Sequence, residues 1–185
     1  MPGRDGASAV FSGVLENTPV GPLAVWVTRN GVRRVGFVQQ DMIDEGHWDP
    51  AGDETLALAF QQLGEYFEGS RKSFSLPLDF SGATPFQRSI FERLMHIPHG
   101  RIVSYGDIAD ELGDPGAARA VGQAVGANPL PVVVPCHRVV RSDGKLGGFS
   151  GGLDRKVTLL GIEGVDVDGP RPGSRVHPEV LRLPL

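Results

Sequence analysis

Residues 132–140 read Val-Val-Val-Pro-Cys-His-Arg-Val-Val, and the proline near the middle limits what the whole stretch can become. Proline has no backbone N–H to give to a ladder, so a single strand cannot run through both groups of valines. The expectation is a strand over the first valines that breaks at Pro135 and delivers Cys136 to a turn. Free cysteine is among the most buried residue types, so the ordinary reading of a thiol set among valines is inert packing. At a turn beside the imidazole of His137 and the guanidinium of Arg138, the same thiol is a candidate activated nucleophile. The rest of the chain has to say what such a thiol would attack.

Cys136 is the only cysteine in 185 residues, which excludes an internal disulfide or a multi-thiolate zinc site and fits a reducing compartment. The histidines (His47, His96, His99, His137 and His177) show no ligand spacing. No metal and no cofactor are expected. The chain has neither a long apolar run of membrane-spanning length nor a signal-peptide pattern at its start, and the expectation is a soluble, cytoplasmic protein, nucleoid-associated if bacterial. Residues 1–83 carry 6 Lys and Arg against 11 Asp and Glu, while residues 84–165 carry 9 against 8. That balance argues against coating nucleic acid by bulk charge, yet it leaves room for a compact basic patch on the second half.

After a small, polar start over residues 1–9, three short apolar runs follow at 11–15, 21–28 and 32–38, the last two joined by Asn30-Gly31. Asn-Gly between β-rich runs is a strong hairpin signal, so a small antiparallel meander is predicted. Residues 41–53 read as an acidic connecting loop. Over 55–68 the apolar residues Leu56, Ala59, Phe60, Leu63 and Phe67 have helical spacing. Residues 74–80 read as an edge strand interrupted by Pro77. Residues 81–85 mark a boundary, and Thr84-Pro85 starts a helix over 85–96 with Phe86, Ile90, Phe91, Leu94 and Met95 on one side. Residues 101–103 form a short extended piece.

Two short helices are then predicted across the turn Gly113-Asp114-Pro115-Gly116. The first spans 104–112, with Ser104 as N-cap and Ile108, Ala109 and Leu112 inward; the second spans 117–127. Such a pair is the helix-turn-helix pattern, which many helical bundles also contain. In the second helix Ala117, Val121, Ala124, Val125 and Asn128 form a packing stripe, while the opposite face holds Arg119, Gly122, Gln123 and Gly126. Glycine inside a helix costs roughly 1 kcal/mol against alanine, so two of them call for close packing or a bulky neighbour. A smooth face with one protruding arginine suits a nucleic-acid groove. Residues 141–152 form a glycine-dense loop around Phe149 and Ser150, without the Gly-Lys-Ser/Thr ending of a phosphate loop. A last helix spans 153–162 with Leu153, Val157, Leu159 and Leu160 inward. Glu163 closes it, although a carboxylate at a helix C-terminus opposes the macrodipole.

Pro135 to Val140, with Asn128-Pro129 upstream and the loop 147–152 downstream, resembles the active-site signature of the O6-alkylguanine-DNA alkyltransferases, also called methylated-DNA–protein-cysteine methyltransferases. The similarity runs from about residue 85 to 164 and thins in the first half to Gly21-Pro22-Leu23 and the order of elements. The resemblance implies an α+β fold: a small N-terminal α/β domain with an antiparallel sheet over 1–83, mainly structural, and a mainly helical C-terminal domain over 84–170 that contains a helix-turn-helix and both binds DNA and accepts the alkyl group. Residues 171–185 remain a tail.

By the same resemblance Cys136 is the acceptor that takes an alkyl group from O6 of guanine and keeps it. His137 and Glu163 activate the thiol, the imidazole drawing its proton through a water. Asn128 holds the turn, and Tyr105 assists base rotation and protonates the leaving guanine. Arg119 fills the gap left by the flipped base, with Ser104, Ala118, Ala120 and Gly122 on the DNA face. Pro131, Val139, Gly147, Phe149 and Ser150 form the substrate pocket, Val139 and Ser150 through backbone groups. Phe149 stands where the family often has tyrosine. The implied partner is double-stranded DNA containing O6-alkylguanine, bound in the minor groove with little sequence specificity by a protein that is monomeric when free, with cooperative binding on DNA left open; no membrane is involved. The implied reaction is irreversible, stoichiometric repair, with O4 of thymine as a further target. Two other readings stay open: a sensor that flips and holds the damaged base with little transfer, and a cysteine hydrolase using Cys136, His137 and Glu163.

Overall fold

The computed structural model describes residues 11–38 and 53–177 and divides the chain into two compact units, Met1–Ser81 and Gly82–Leu185. The start over residues 1–9 and nearly all of the acidic loop over 41–53 lie outside the described residues.

In the first unit β1 (Phe11–Leu15), β2 (Leu23–Thr28) and β3 (Gly31–Phe37) form an antiparallel sheet in that order. The expected hairpin forms here, with Arg29 and Asn30 as its turn and Gly31 paired with Thr28 as the first residue of β3. Gly31 has φ +127, and a Cβ there would sit 2.3 Å from the Pro77 carbonyl oxygen, so only glycine fits. The register slips between Trp26 and Val27: Trp26 faces Arg34 but Val27 faces Val32, which leaves Arg33 as a bulge residue. The bulge aims Arg33 at Asp79, 3.3 Å from its carboxylate, while Thr28 donates its hydroxyl proton to the same carboxylate at 2.7 Å. Burial would push the Asp79 carboxyl up, but hydrogen bonds from Ser81 and Thr28 and the Arg33 charge bring it down to about 2.

Helix α1 (Glu54–Phe67) is capped by Asp53, which accepts the Leu56 N–H at 2.9 Å, and packs on the sheet. Its buried stripe is Leu56, Ala59, Gln62, Leu63 and Tyr66. Of the apolar residues at helical spacing, Phe60 and Phe67 are only half-buried. Gln62 can go inside because its amide is matched at both ends by the Ser75 backbone, at 2.8 and 3.2 Å. The expected edge strand over 74–80 shrinks to one parallel bridge between Val32 and Leu78. Pro77 has no N–H with which to extend the ladder.

The second unit opens with α2 (Pro85–Met95), capped by the reciprocal bonds of Thr84 and Gln87. It buries Ile90, Phe91 and Leu94, while Phe86 and Met95, expected inward, are each 40% exposed. Two-residue strands β4 (Val103–Ser104) and β5 (Val139–Val140) pair in parallel. Between them α3 (Tyr105–Glu111) and α4 (Ala118–Gly126) pack on each other across a turn that contains the 3-10 segment Pro115–Ala117. α5 (Leu153–Ile162) completes the unit. Leu112, expected inward, caps α3 and is exposed.

Of the segment 171–185, expected as a tail, the described residues 171–177 are tied into this unit. Leu146 N–H donates to the Ser174 carbonyl and Val176 N–H to the Gly144 carbonyl, at 2.9 and 3.0 Å. Val176 thereby enters a core cluster with Ile102, Val140, Leu146, Leu160 and Val165. Among the described residues no helix is long and apolar enough to cross a membrane.

Candidate active site

The site grows out of the turn that precedes Cys136. Val132, Val133 and Val134 are buried as expected, but they form a turn and not a strand. Pro129 and Pro131 lack the N–H groups a ladder needs, and the side chain of Asn128 supplies bonds instead. Its amide nitrogen donates to the Val134 carbonyl at 2.8 Å, and its oxygen accepts the Leu130 N–H at 3.0 Å. Val134 N–H closes the turn onto the Leu130 carbonyl at 2.8 Å. The turn forces Val132 to φ 75, a conformation that costs a β-branched residue on the order of 1–3 kcal/mol. Pro135 then leads into the 3-10 turn Cys136–Arg138, which β5 follows.

Cys136 is 3% exposed and lines a pocket of about 240 Å³ together with Tyr105, Gly122, Val125, Gly126, Gly148, Phe149 and Ser150. Of the two helix glycines on the pocket wall, a Cβ on Gly122 would meet Tyr105 at an ordinary 3.8 Å, and one on Gly126 would meet nothing within 4 Å. Gly147 is different. A Cβ there would lie 2.8 Å from both the Tyr105 hydroxyl and its ring edge, so the phenol is seated directly against bare backbone.

Behind the thiol lies a buried ionic cluster. His137 is fully buried, and its Nε2 meets Glu163 Oε1 at 2.8 Å. Arg138 donates to the same carboxylate through Nε at 2.9 Å and Nη2 at 2.8 Å, and its Nη1 donates to the Ile97 carbonyl. The Gly100 N–H also donates to Glu163, at 2.9 Å. This explains how a carboxylate can end α5: four donor groups outweigh the unfavourable helix dipole. Burial would push the Glu163 carboxyl up, but His137 and Arg138 hold it well below the usual carboxylate range. Burial lowers His137, against the pull of Glu163. The imidazole is therefore neutral near pH 7. A carboxylate only accepts, so Nε2 carries the hydrogen and Nδ1 is left basic.

Burial also pushes the Cys136 thiol up, against the Asn128 amide and the Lys156 charge, which pull it down. Tyr105 is raised by burial and by the nearby sulfur, so it holds its proton as a donor. Lys156 is fully buried; its Nζ donates to the Val139 carbonyl at 2.6 Å, with a longer contact to the Gly148 carbonyl at 3.4 Å.

Of the residues singled out from sequence, Cys136, Tyr105, Gly122, Phe149 and Ser150 share the pocket, with Gly147 behind Tyr105 and Val139 just past the thiol. His137, Glu163 and Asn128 are buried around them, and Pro131 lies in the buried turn. Arg119, Ala118 and Ala120 lie in the first turn of α4, with Arg119 and Ala120 exposed. Ser104 is buried, and its hydroxyl accepts the Asp107 N–H at 3.0 Å as the α3 cap. Two residues escaped the sequence reading. Arg138 was seen only as a neighbour of the thiol, with no signal for its partner. Lys156 was left outside the α5 stripe, although it lies three and four residues before the buried Leu159 and Leu160.

Residues 85–165 match the family model of the 6-O-methylguanine DNA methyltransferase DNA binding domain, and residues 12–80 match that of the same proteins' ribonuclease-like domain. A methylated-DNA–protein-cysteine methyltransferase of Mycolicibacterium paratuberculosis is 54% identical over 108 residues, 58% of this chain and 65% of that protein. The Mycobacterium tuberculosis protein of the same name is 41% identical over 148 residues, 80% of this chain and 88% of its own. Among solved structures, Mycobacterium tuberculosis OGT in complex with DNA superposes with a TM-score of 0.71 at 39% identity, covering 83% of this chain and 92% of that one. The fold is thus that of the 6-O-methylguanine DNA methyltransferases, with both of their domains matched. The chain belongs to the methylated-DNA–protein-cysteine methyltransferase family.

Proposed function

We propose that this protein repairs DNA by moving an alkyl group, methyl above all, from O6 of a flipped-out guanine irreversibly onto the Cys136 sulfur. The observation that carries the reading is the pocket itself. It has the thiol at one end and a protonated Tyr105 phenol on its wall, with the neutral imidazole of His137 buried behind. The thiol proton passes to Nδ1 of His137 through a bridging water; Glu163, itself held in place by Arg138, orients the ring and stabilises the imidazolium that forms. The sulfur–carbon bond forms as the carbon–O6 bond breaks, and the electron pair left on guanine is met by the Tyr105 proton. The products are S-alkylcysteine and unmodified guanine, and the imidazolium proton passes through solvent to the Tyr105 phenolate, which returns both groups to their neutral forms. A thioether resists hydrolysis and guanine is too weak a nucleophile to take the alkyl group back, so each molecule acts once.

The base must leave the duplex to reach the thiol, at a cost of a few kcal/mol. α3 and α4, read as a helix-turn-helix, present the Ala118–Ala120 turn to the minor groove. Arg119 enters the vacated stack, and the Val139 carbonyl and Ser150 amide meet the guanine edge. O4-methylthymine, which carries the same kind of alkyl–oxygen bond, is the second substrate.

The test is mass spectrometry of the protein after mixing with duplex DNA that contains O6-methylguanine. One added methylene on the Cys136 peptide, with product never exceeding one equivalent, is the expected result. Tight binding with no added mass would mean a damage sensor, and product beyond one equivalent would mean a hydrolase. Arg119→Ala should slow transfer from duplex DNA by about ten-fold or more while leaving reaction with the free base O6-methylguanine nearly unchanged. An equal loss on both substrates would remove Arg119 from the base stack.

A further inference from the structure

Of the three lysines in the chain, at 72, 145 and 156, only Lys156 is buried, and the mechanism above makes no use of it. An ammonium taken wholly out of water is costly unless strong acceptors replace the lost hydration. Among the described residues no carboxylate pairs with it. Its acceptors are two backbone carbonyls, Val139 at 2.6 Å and Gly148 at 3.4 Å. These two carbonyls belong to different segments of the site. Val139 follows directly on the 3-10 turn that carries Cys136, and Gly148 lies in the glycine-rich loop and lines the pocket with Phe149 and Ser150. α5 therefore sends one side chain through the interior to the join between the acceptor segment and the loop facing it.

We propose that Lys156 is a positioning residue for alkyl transfer: its buried ammonium ties the chain just past Cys136 to the glycine-rich loop and so sets the width of the pocket against the thiol. This rests on the reading of Cys136 as the alkyl acceptor. A Val139 carbonyl that accepts from Lys156 keeps a second lone pair, and the ammonium holds that carbonyl in one direction. The same charge lies close enough to act on the sulfur. Burial brings Lys156 down to about 8, opposed by Cys136, so it is mostly protonated near pH 7 and available to offset the charge of a forming thiolate. Cys136 and His137 are the ionisable groups that feel its charge. An uncharged residue of equal length would fill the space, but it would leave the loop untied and the thiolate without a counter-charge.

The test compares the full-length protein with its Lys156→Met variant, which keeps the length and removes the charge. Single-turnover transfer from duplex DNA containing O6-methylguanine is followed at increasing DNA concentration, and alkylation of Cys136 by iodoacetamide is followed against pH. For a variant with native circular dichroism, the saturating transfer rate should fall about ten-fold or more while the half-saturating DNA concentration moves by less than about three-fold. The pH midpoint of iodoacetamide alkylation should rise by about one unit. Transfer within about two-fold of the parent, or an unmoved midpoint, would overturn the inference. A second measurement needs no variant: NMR titration of the Lys156 side chain before and after Cys136 is methylated. Its midpoint should fall once the sulfur can no longer carry charge, and an unchanged midpoint would overturn the inference as well. A parent protein that fails to methylate Cys136 would instead remove the alkyltransferase reading.

Discussion

Cys136 and the residues that touch its pocket have separable duties, and substitutions should separate them. Cys136→Ser should abolish transfer and leave affinity for alkylated duplex DNA within about three-fold, measured by titration of labelled DNA. Loss of both would make the thiol a packing residue. Tyr105→Phe keeps the ring against Gly147 and removes the proton donor; single-turnover transfer should slow by roughly 100-fold, within the usual range for a general acid. Gly147→Ala asks the opposite question. Its methyl group would sit 2.8 Å from the Tyr105 hydroxyl, so the phenol must swing away. Transfer should fall by about as much as in Tyr105→Phe, with stability lowered by about 1–3 kcal/mol in urea unfolding. Ordinary rates in Gly147→Ala would mean that the position of the phenol is not critical.

At the level of elements, the chain announced its helices through caps and spacing. Thr84-Pro85, Ser104 and the α5 pattern all start helices where they were expected. What could not be read was which residues would be inward when a polar group had a hidden partner. Gln62 displaces Phe60 from the α1 core because the Ser75 backbone lies opposite it, 13 residues away in sequence. Lys156 displaces Leu153 and Val157 from the most buried face of α5 for a similar reason. Its acceptors come from segments 17 and 8 residues distant. The valine run before Pro135 reads as a strand by local propensity, and Pro129, Pro131 and the side-chain bonds of Asn128 turn it into a loop with Val132 at positive φ. Glu163, in contrast, was conspicuous because it violates the helix dipole, and its explanation lies in Arg138 and His137. Glu163→Gln should cost roughly 3 kcal/mol in urea unfolding, because it leaves Arg138 buried without its counter-charge. A change below about 0.5 kcal/mol would mean that the cluster is held by packing alone.

Across the molecule, the two units carry different sensitivities to acid. Asp79 in the first unit is brought from an ordinary 3.8 to about 2. A carboxylate depressed in the folded state contributes stability that is complete above its unfolded pKa and lost as pH falls through its folded value. The Asp79 contribution should therefore hold above about pH 4 and fade between about 4 and 2, and Asp79→Asn should lower the urea midpoint at pH 7 but much less at pH 2.5. Equal losses at both pH values would show that its charge is not what matters. In the second unit burial raises the Cys136 thiol, and this has a bearing on time. A reagent that can be spent only once is useful in proportion to how long it keeps. With 3% of its surface exposed and its proton held tightly by burial, Cys136 is shielded from the peroxides and stray electrophiles that consume an open thiolate. The slow resting state of the thiol is its shelf life. The number of lesions a cell can clear is then set by the number of molecules still unspent when damage arrives.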